Sequence, residues 1–150
     1  MSRSPILLLA GLAGLALASP PVAATPLHLA AYRGRVVYLD FWASWCGPCK
    51  QSFPWMESMS DTYAHRGLVI VAVDLDRHKG AAARFLGEFH PDFQILYDPR
   101  GSLAERFKVE GMPTSLVIDR DGKLRYRHIG FVPADADRYE SQVKRLLAEK

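Results

Sequence analysis

Apolar runs alternate with amphipathic segments along the chain, a pattern that predicts a β-sheet flanked by helices. Five segments are expected to form strands: 36–42, 68–75, 93–97, 115–118 and 123–129. The first two are almost continuously apolar, which is typical of central strands covered on both faces of a sheet. The last alternates, with Leu124, Tyr126 and His128 on one side and basic residues on the other, and this predicts a half-exposed edge strand.

Between these strands, apolar residues recur at the spacing of a helix. Helices are expected from Pro48 to about His65 and at about 80–89, 102–107 and 134–148. The first would bury Phe53, Met56, Met59, Tyr63 and Ala64, and the last would bury Tyr139, Val143, Leu146 and Leu147. This element order, with helical crossovers first and a hairpin plus helix last, predicts an α/β fold with a central mixed sheet in a three-layer α/β/α sandwich.

The first 24 residues have the pattern of an export signal. Arg3 supplies a positive charge, and the 13 apolar residues 6–18 would span about 20 Å as a helix, less than a hydrocarbon core of ~30 Å. Small residues at Val22 and Ala24 fit cleavage after Ala24. We therefore expect a cleaved signal peptide at 1–24, or alternatively an N-terminal anchor, followed by one periplasmic domain at 25–150.

The composition is that of a globular domain without an extended charged surface. Hydrophobic residues make up 49% of the 150 residues, enough for one domain with a substantial core. The formal net charge of +3 is too small and too evenly distributed for a nucleic-acid interface. Five histidines show no close spacing, and each is expected at the solvated surface: His28, His65, His78, His90 and His128.

Cys46 and Cys49 are the only cysteines in the chain. In the first turn of a helix their Cα atoms would be about 5–6 Å apart, within the range of a disulfide. So small a loop would stabilise the fold little, whereas a helix beginning at Pro48 would favour a thiolate at Cys46. The pair is therefore predicted to open and close as a redox couple, with metal binding as the alternative use of Cys-x-x-Cys.

Two motifs resemble the thioredoxin superfamily. They are Trp42-x-x-Trp45-Cys46-Gly47-Pro48-Cys49, with Asp40 upstream, and Gly111-Met112-Pro113-Thr114 before a β-rich run. A longer set of matches over about 29–147 is similar to the exported TlpA/ResA-like branch of thiol-disulfide oxidoreductases. The resemblance implies a thioredoxin fold and protein-disulfide exchange. The chain departs from that branch at Ser52, where a glutamate is frequent, and at Asp40, where a neutral residue is usual.

The resemblance also implies roles for individual residues. Cys46 would attack a disulfide, Cys49 would resolve the mixed disulfide, and Asp40 would take the proton of Cys49. A carboxylate in an apolar strand is costly to bury unless it is hydrogen-bonded or protonated, so Asp40 is a candidate functional residue independently of the resemblance. Its alternative role is to cap a nearby turn. Pro113 would follow a cis peptide bond beside the disulfide, and the Met112 backbone would hold a substrate strand. Further substrate contacts are expected from Trp45, Gly47 and Pro48.

The resemblance extends to partners. Gly47-Pro48 between the cysteines is similar to reducing thioredoxins, which implies a reductase of disulfides in partner proteins, here exported ones. The protein is expected to be a monomer, and cytochrome c maturation and copper-site assembly are the candidate pathways. A membrane thiol-transfer protein would supply electrons, and no cofactor beyond the Cys46–Cys49 dithiol would be needed. Two alternatives stay open: a disulfide-forming oxidase or isomerase, and a copper-handling module in which the two thiolates hold Cu(I).

Overall fold

The central strand of the sheet is the apolar run that precedes the cysteines. In the computed structural model, which describes residues 26–149, five strands pair in the order β3-β2-β1-β4-β5. They are β1 (Val36–Trp42), β2 (Leu68–Asp74), β3 (Gln94–Tyr97), β4 (Thr114–Ile118) and β5 (Leu124–Ile129). β1 runs parallel to β2 and antiparallel to β4, so the sheet is mixed. The expected signal peptide at 1–24 lies outside the described residues.

Four α-helices cover the sheet: α1 (Gly47–Tyr63), α2 (Lys79–Phe89), α3 (Ser102–Arg106) and α4 (Ala136–Ala148). Short 3-10 turns occur at Leu29–Tyr32, Ala64–Arg66 and Pro133–Asp135. Each predicted strand and helix is present, with ends at most two residues from those expected. No helix formed by residues 26–149 has the length and apolar character needed to cross a membrane.

Every residue of β1 is buried, because both faces of the strand are covered. On one face, Tyr38 and Trp42 pack in a cluster with α1, α2 and α4. On the other face, Leu39 and Phe41 pack in a second cluster that includes Leu103 of α3. The alternation of side chains along a strand divides the core in this way, and it gives the predicted three-layer arrangement.

Two sequence-based expectations about burial were wrong, those for His128 and Ala64. His128 is only 8% exposed, whereas the other four histidines are exposed as predicted. Its ring lies 4.6 Å from that of Tyr139, and its Nε2 is 2.7 Å from Gln142 Oε1, so α4 covers it. Leu124, beside the hairpin turn, is exposed, as suits the half-exposed edge strand that was predicted. Ala64 is exposed in the turn that follows α1.

Candidate active site

Cys46 and Cys49 form a disulfide at the beginning of α1. Their Cα atoms are 5.3 Å apart, as the spacing predicted, and the S–S distance is 2.12 Å. Cys46 is the N-cap of the helix, and its Sγ accepts a hydrogen bond from the Cys49 backbone N–H at 3.3 Å. Pro48 occupies the first turn, where its missing N–H costs nothing. The unpaired N–H groups of this turn favour negative charge on Cys46 once the disulfide is reduced.

The loop between β1 and α1 is fixed by Asp76, a residue that the sequence analysis did not single out. The Asp76 carboxylate accepts hydrogen bonds from the Ser44 backbone N–H at 2.8 Å and from the Ser44 hydroxyl at 2.9 Å. The Cys46 N–H donates to the Ala43 carbonyl at 3.1 Å. Asp76 follows β2, which is parallel to β1, so both strands end at the same edge of the sheet. That position was the available sequence signal for its role.

A surface groove of about 450 Å³ opens beside the disulfide. It is lined by Trp45, Cys46, Gly47, Pro48, Glu110, Gly111 and Met112. Cys46 is 5% exposed and faces this groove, whereas Cys49 is 0% exposed beneath it. Trp45 is 72% exposed at the rim. Four residues expected to contact substrate therefore lie around the outer sulfur, together with Glu110, an exposed acid that sequence reasoning had not singled out.

The far wall of the groove is formed by the segment that leads into β4. The Met112–Pro113 peptide bond is cis, as the resemblance implied. The Pro113 carbonyl accepts a hydrogen bond from the Gly130 N–H at 2.7 Å, and the Thr114 hydroxyl donates to the Gly111 carbonyl at 2.6 Å. These bonds tie the wall to β5 and hold Met112 opposite the cysteines.

Asp40 lies in the middle of β1 and is 0% exposed. Its Oδ1 accepts a hydrogen bond from the Ser115 hydroxyl at 2.6 Å, and its Oδ2 has no partner within the described part of the chain. Burial raises the pKa of the Asp40 carboxyl from 3.8 to about 7, and the Ser115 bond opposes this rise. Alternation places Asp40 on the same face as Trp42, which packs in one cluster with Cys49. The hydrogen bond to a neighbouring strand does not match a turn cap.

A second buried acid, Asp74, ends β2 on this face of the sheet and pairs in register with Trp42. Its Oδ1 accepts a hydrogen bond from the Asp76 N–H at 3.0 Å. Burial raises the pKa of Asp74 from 3.8 to about 7, although the bond from the Asp76 backbone lowers it. The sequence analysis covered Asp74 only as one position of the strand expected at 68–75, so it missed this acid behind the active-site loop.

Fold and site together define a class: a thioredoxin-fold protein whose Cys-x-x-Cys disulfide begins the helix after the central strand. A sequence model of the Redoxin family matches residues 16–147, and the chain belongs to this family.

Individual relatives agree with this assignment. The thiol-disulfide oxidoreductase ResA of Geobacillus kaustophilus is 30% identical over 118 residues, which cover 78% of this chain and 68% of the relative. ResA of Bacillus thuringiensis subsp. konkukian is 33% identical over 98 residues, or 65% of this chain, and the match spans only 57% of that relative's length. The crystal structure of a candidate thiol:disulfide interchange protein DsbE from Chlorobium tepidum has 46% identity and a TM-score of 0.80, covering 84% of this chain and 93% of that one. The predicted fold and the ResA-like resemblance are thus confirmed.

Proposed function

We propose that the protein is an exported thiol-disulfide oxidoreductase that reduces disulfides in partner proteins. One observation carries the proposal: the Cys46–Cys49 disulfide begins a helix, with Cys46 facing an open groove and Cys49 enclosed beneath it. An outer sulfur that a partner can reach and an inner sulfur that it cannot are what a two-step exchange requires.

In the first step, the reduced protein presents Cys46 as a thiolate. It attacks one sulfur of a partner disulfide, the partner's S–S bond breaks, and the other partner sulfur leaves as a thiolate. A Cys46–partner disulfide forms. The partner strand lies in the groove against the Met112 backbone, and the exposed indole of Trp45 covers it from the rim.

In the second step, Cys49 resolves the mixed disulfide. The Cys49 thiol gives its proton to the Asp40 carboxylate and attacks Cys46 Sγ; the Cys46–partner bond breaks, and the partner leaves fully reduced. A pKa of about 7 suits Asp40 to accept a proton near neutral pH and to lose it again. The product is the oxidised form seen here. Two electrons from an external dithiol, such as a membrane thiol-transfer protein, restore the starting state, and no other cofactor is needed.

Export rests on the sequence of residues 1–24, and an oxidising compartment such as the periplasm is where a reductase of structural disulfides would have substrates. Apocytochromes and copper-site proteins are candidate partners by the ResA-like resemblance. We infer that the protein acts as a monomer.

The direction of electron flow is proposed from the Gly47-Pro48 dipeptide between the cysteines. Equilibration with glutathione measures the reduction potential of the Cys46–Cys49 pair, which tests this direction. A strongly reducing potential, near that of thioredoxin at about −270 mV, is expected. A potential near about −120 mV, typical of a strong oxidant, would reverse the direction and favour a disulfide-forming oxidase or isomerase.

A copper-handling module is a second candidate, favoured by one observation: Met112 lines the same groove as Cys46, and thioether and thiolate sulfurs both suit Cu(I). Within residues 26–149, no group of three or more His, Cys, Asp or Glu side chains is arranged to hold a metal ion. Titration of the reduced protein with Cu(I) tests the candidate, and tight stoichiometric binding that Met112→Leu weakens would support it.

Trapping in the native compartment tests the proposed exchange. Cys49→Ser should accumulate as a mixed disulfide that reducing agent dissolves and that identifies the partner. Cys46→Ser is the matched control and should trap nothing, because Cys49 is enclosed. Should Cys49→Ser trap no partner while Cys46 remains open to alkylation, the exchange mechanism is wrong.

A further inference from the structure

Asp40 is fully buried, so its protonation depends on groups inside the protein. We propose that Ser115 is a positioning residue for the exchange reaction, because its hydroxyl holds Asp40 in the ionised form that accepts the proton of Cys49. The inference rests on the proposed role of Asp40. It adds a residue from the neighbouring strand that neither motif contains.

The geometry of this pair is fixed by the sheet. Ser115 of β4 is the register partner of Asp40 in β1, so the two side chains lie side by side on the face that carries α1. The Ser115 hydroxyl is 2.6 Å from Asp40 Oδ1, and Ser115 is itself buried. Ser115 is only 3% exposed, so its hydroxyl has little opportunity to hydrogen-bond to water instead of Asp40. It is the one side chain among residues 26–149 that hydrogen-bonds to Asp40.

Other titratable groups on this face do not replace that bond. They are Tyr38 on β1, Asp74 on β2, Tyr97 on β3, Tyr126 and His128 on β5, Tyr63 on α1, Tyr139 on α4 and the sulfurs of Cys46 and Cys49. Burial raises the pKa of Tyr38, which keeps its hydroxyl neutral. Burial lowers the pKa of His128, the register partner of Ser115, so this imidazole adds no positive charge near neutral pH. Among the described side chains, the Ser115 hydroxyl is therefore the one hydrogen-bond donor that stabilises ionised Asp40.

The direction of the effect follows from which form the bond stabilises. A donated hydrogen bond favours the carboxylate over the carboxylic acid, so losing it raises the pKa of Asp40 above its present value. Hydrogen bonds to charged groups change such equilibria by about ten-fold or more. Ser115→Ala should therefore raise the proton affinity of Asp40 about ten-fold and reduce its ionised fraction at neutral pH accordingly. Resolution of the mixed disulfide should slow near pH 7 and recover at higher pH.

Carbon-13 NMR of the oxidised protein tests the effect of Ser115 on the pKa of Asp40, since the sulfurs cannot titrate in that state. Asp40→Asn assigns the Asp40 carboxyl signal. Ser115→Ala should move the titration of that signal to higher pH, and Ser115→Thr, which keeps the hydroxyl, should leave it close to wild type. Asp74 serves as an internal reference, because its partner is the Asp76 N–H and its titration should not move. An unchanged Asp40 titration in Ser115→Ala overturns the inference.

A single-turnover measurement tests the effect of Ser115 on resolution of the mixed disulfide. The reduced protein is mixed with a disulfide-bonded model peptide, and formation and resolution of the mixed disulfide are followed from pH 5.5 to 9. Ser115→Ala should shift the pH profile of resolution upwards and leave the first attack unchanged, while Ser115→Thr behaves as wild type. If the pH profile of the resolution rate is the same in Ser115→Ala as in a normally exchanging wild-type protein, the inference is overturned. Failure of wild type to form any mixed disulfide overturns instead the proposed function.

A measurement on the wild-type protein alone tests the inference even if Ser115→Ala does not fold. In the wild-type protein, the Ser115 hydroxyl proton should move downfield as Asp40 ionises, with the same midpoint as the Asp40 carboxyl carbon. A hydroxyl proton that is insensitive to this titration would mean that Ser115 does not hold the carboxylate, and the inference would fail.

Discussion

Replacing Asp40 with asparagine should change how stability depends on pH. Asparagine has nearly the shape of the protonated carboxyl group and can still accept the Ser115 hydrogen bond, but it never ionises. Asp40 Oδ2 has no hydrogen-bond partner among the described residues, and we expect the amide nitrogen of the variant to occupy the same position without one. The two proteins should therefore be similarly stable in acid, where Asp40 is protonated, and differ where it must ionise inside the core.

The size of the effect follows from the pKa of Asp40, which is 3.8 for an ordinary carboxyl and about 7 in the fold. The folded state binds the proton more tightly than the unfolded chain, so Asp40 favours folding below the unfolded pKa. This contribution is lost as pH rises through the folded pKa. At 1.36 kcal/mol for each tenfold change in proton affinity, the wild-type protein loses about 4 kcal/mol from this site between pH 4 and pH 8. The variant loses none of it.

Urea denaturation of the oxidised proteins at several pH values measures the difference. The variant's advantage in unfolding free energy should grow with pH and approach about 4 kcal/mol near pH 8, an upper value because water can enter a destabilised core. Contributions of Asp74 are common to both proteins and cancel in the comparison. Asp121→Asn, in the exposed hairpin turn, is the matched control and should show no such growth.

A stability difference that is independent of pH between 4 and 8 would refute the reasoning. It would mean that the pKa of Asp40 in the fold equals its value in the unfolded chain, so that the carboxyl could not hold a proton from Cys49 near neutral pH.

Three further predictions concern the site. In single-turnover kinetics, Asp40→Asn should slow resolution by Cys49 at neutral pH by about 100-fold and slow the first attack far less; equal slowing would remove Asp40 from its proposed role. Asp76→Ala should cost about 2 kcal/mol of unfolding free energy in urea and Ser44→Ala about 1, because only the first leaves the Ser44 N–H without its acceptor. Trp45→Ala should change the free energy of unfolding by less than about 0.5 kcal/mol, since the side chain is 72% exposed. It should nevertheless lower kcat/KM for a protein disulfide more than for a small-molecule disulfide. Equal losses for the two substrates would count against contact between Trp45 and the substrate.

The sequence predicts the fold well because its strongest pattern is also the main cause of the fold. β1 and β2 are apolar along most of their length, with Asp40 and Asp74 as the acidic exceptions, since each strand is covered on both faces, and such short apolar runs are typical of central strands. The cysteine spacing, with Pro48 between the two cysteines, likewise predicts a disulfide at a helix start from local geometry alone. These features depend only on neighbouring residues.

What sequence reasoning missed depends on contacts between strands. Ser115 meets Asp40 because β4 pairs with β1 in one register, and Asp76 meets Ser44 because β1 and β2 end together. Neither contact leaves a periodic trace in the chain. His128 was wrongly placed at the surface for a similar reason: alternation put it on the inner side of β5, but only the packing of α4 buries it.

The two hydrogen bonds from Ser44 to the Asp76 carboxylate have a consequence for how partner proteins bind. The carboxylate and the Ala43 carbonyl anchor the loop to the end of the sheet, and neither anchor involves the sulfur–sulfur bond. Opening that bond leaves these hydrogen bonds in place, so we expect the loop to keep its position when the protein is reduced. The reduced and oxidised forms should then present the same loop surface to a partner, and release of the reduced partner should not require a movement of this loop.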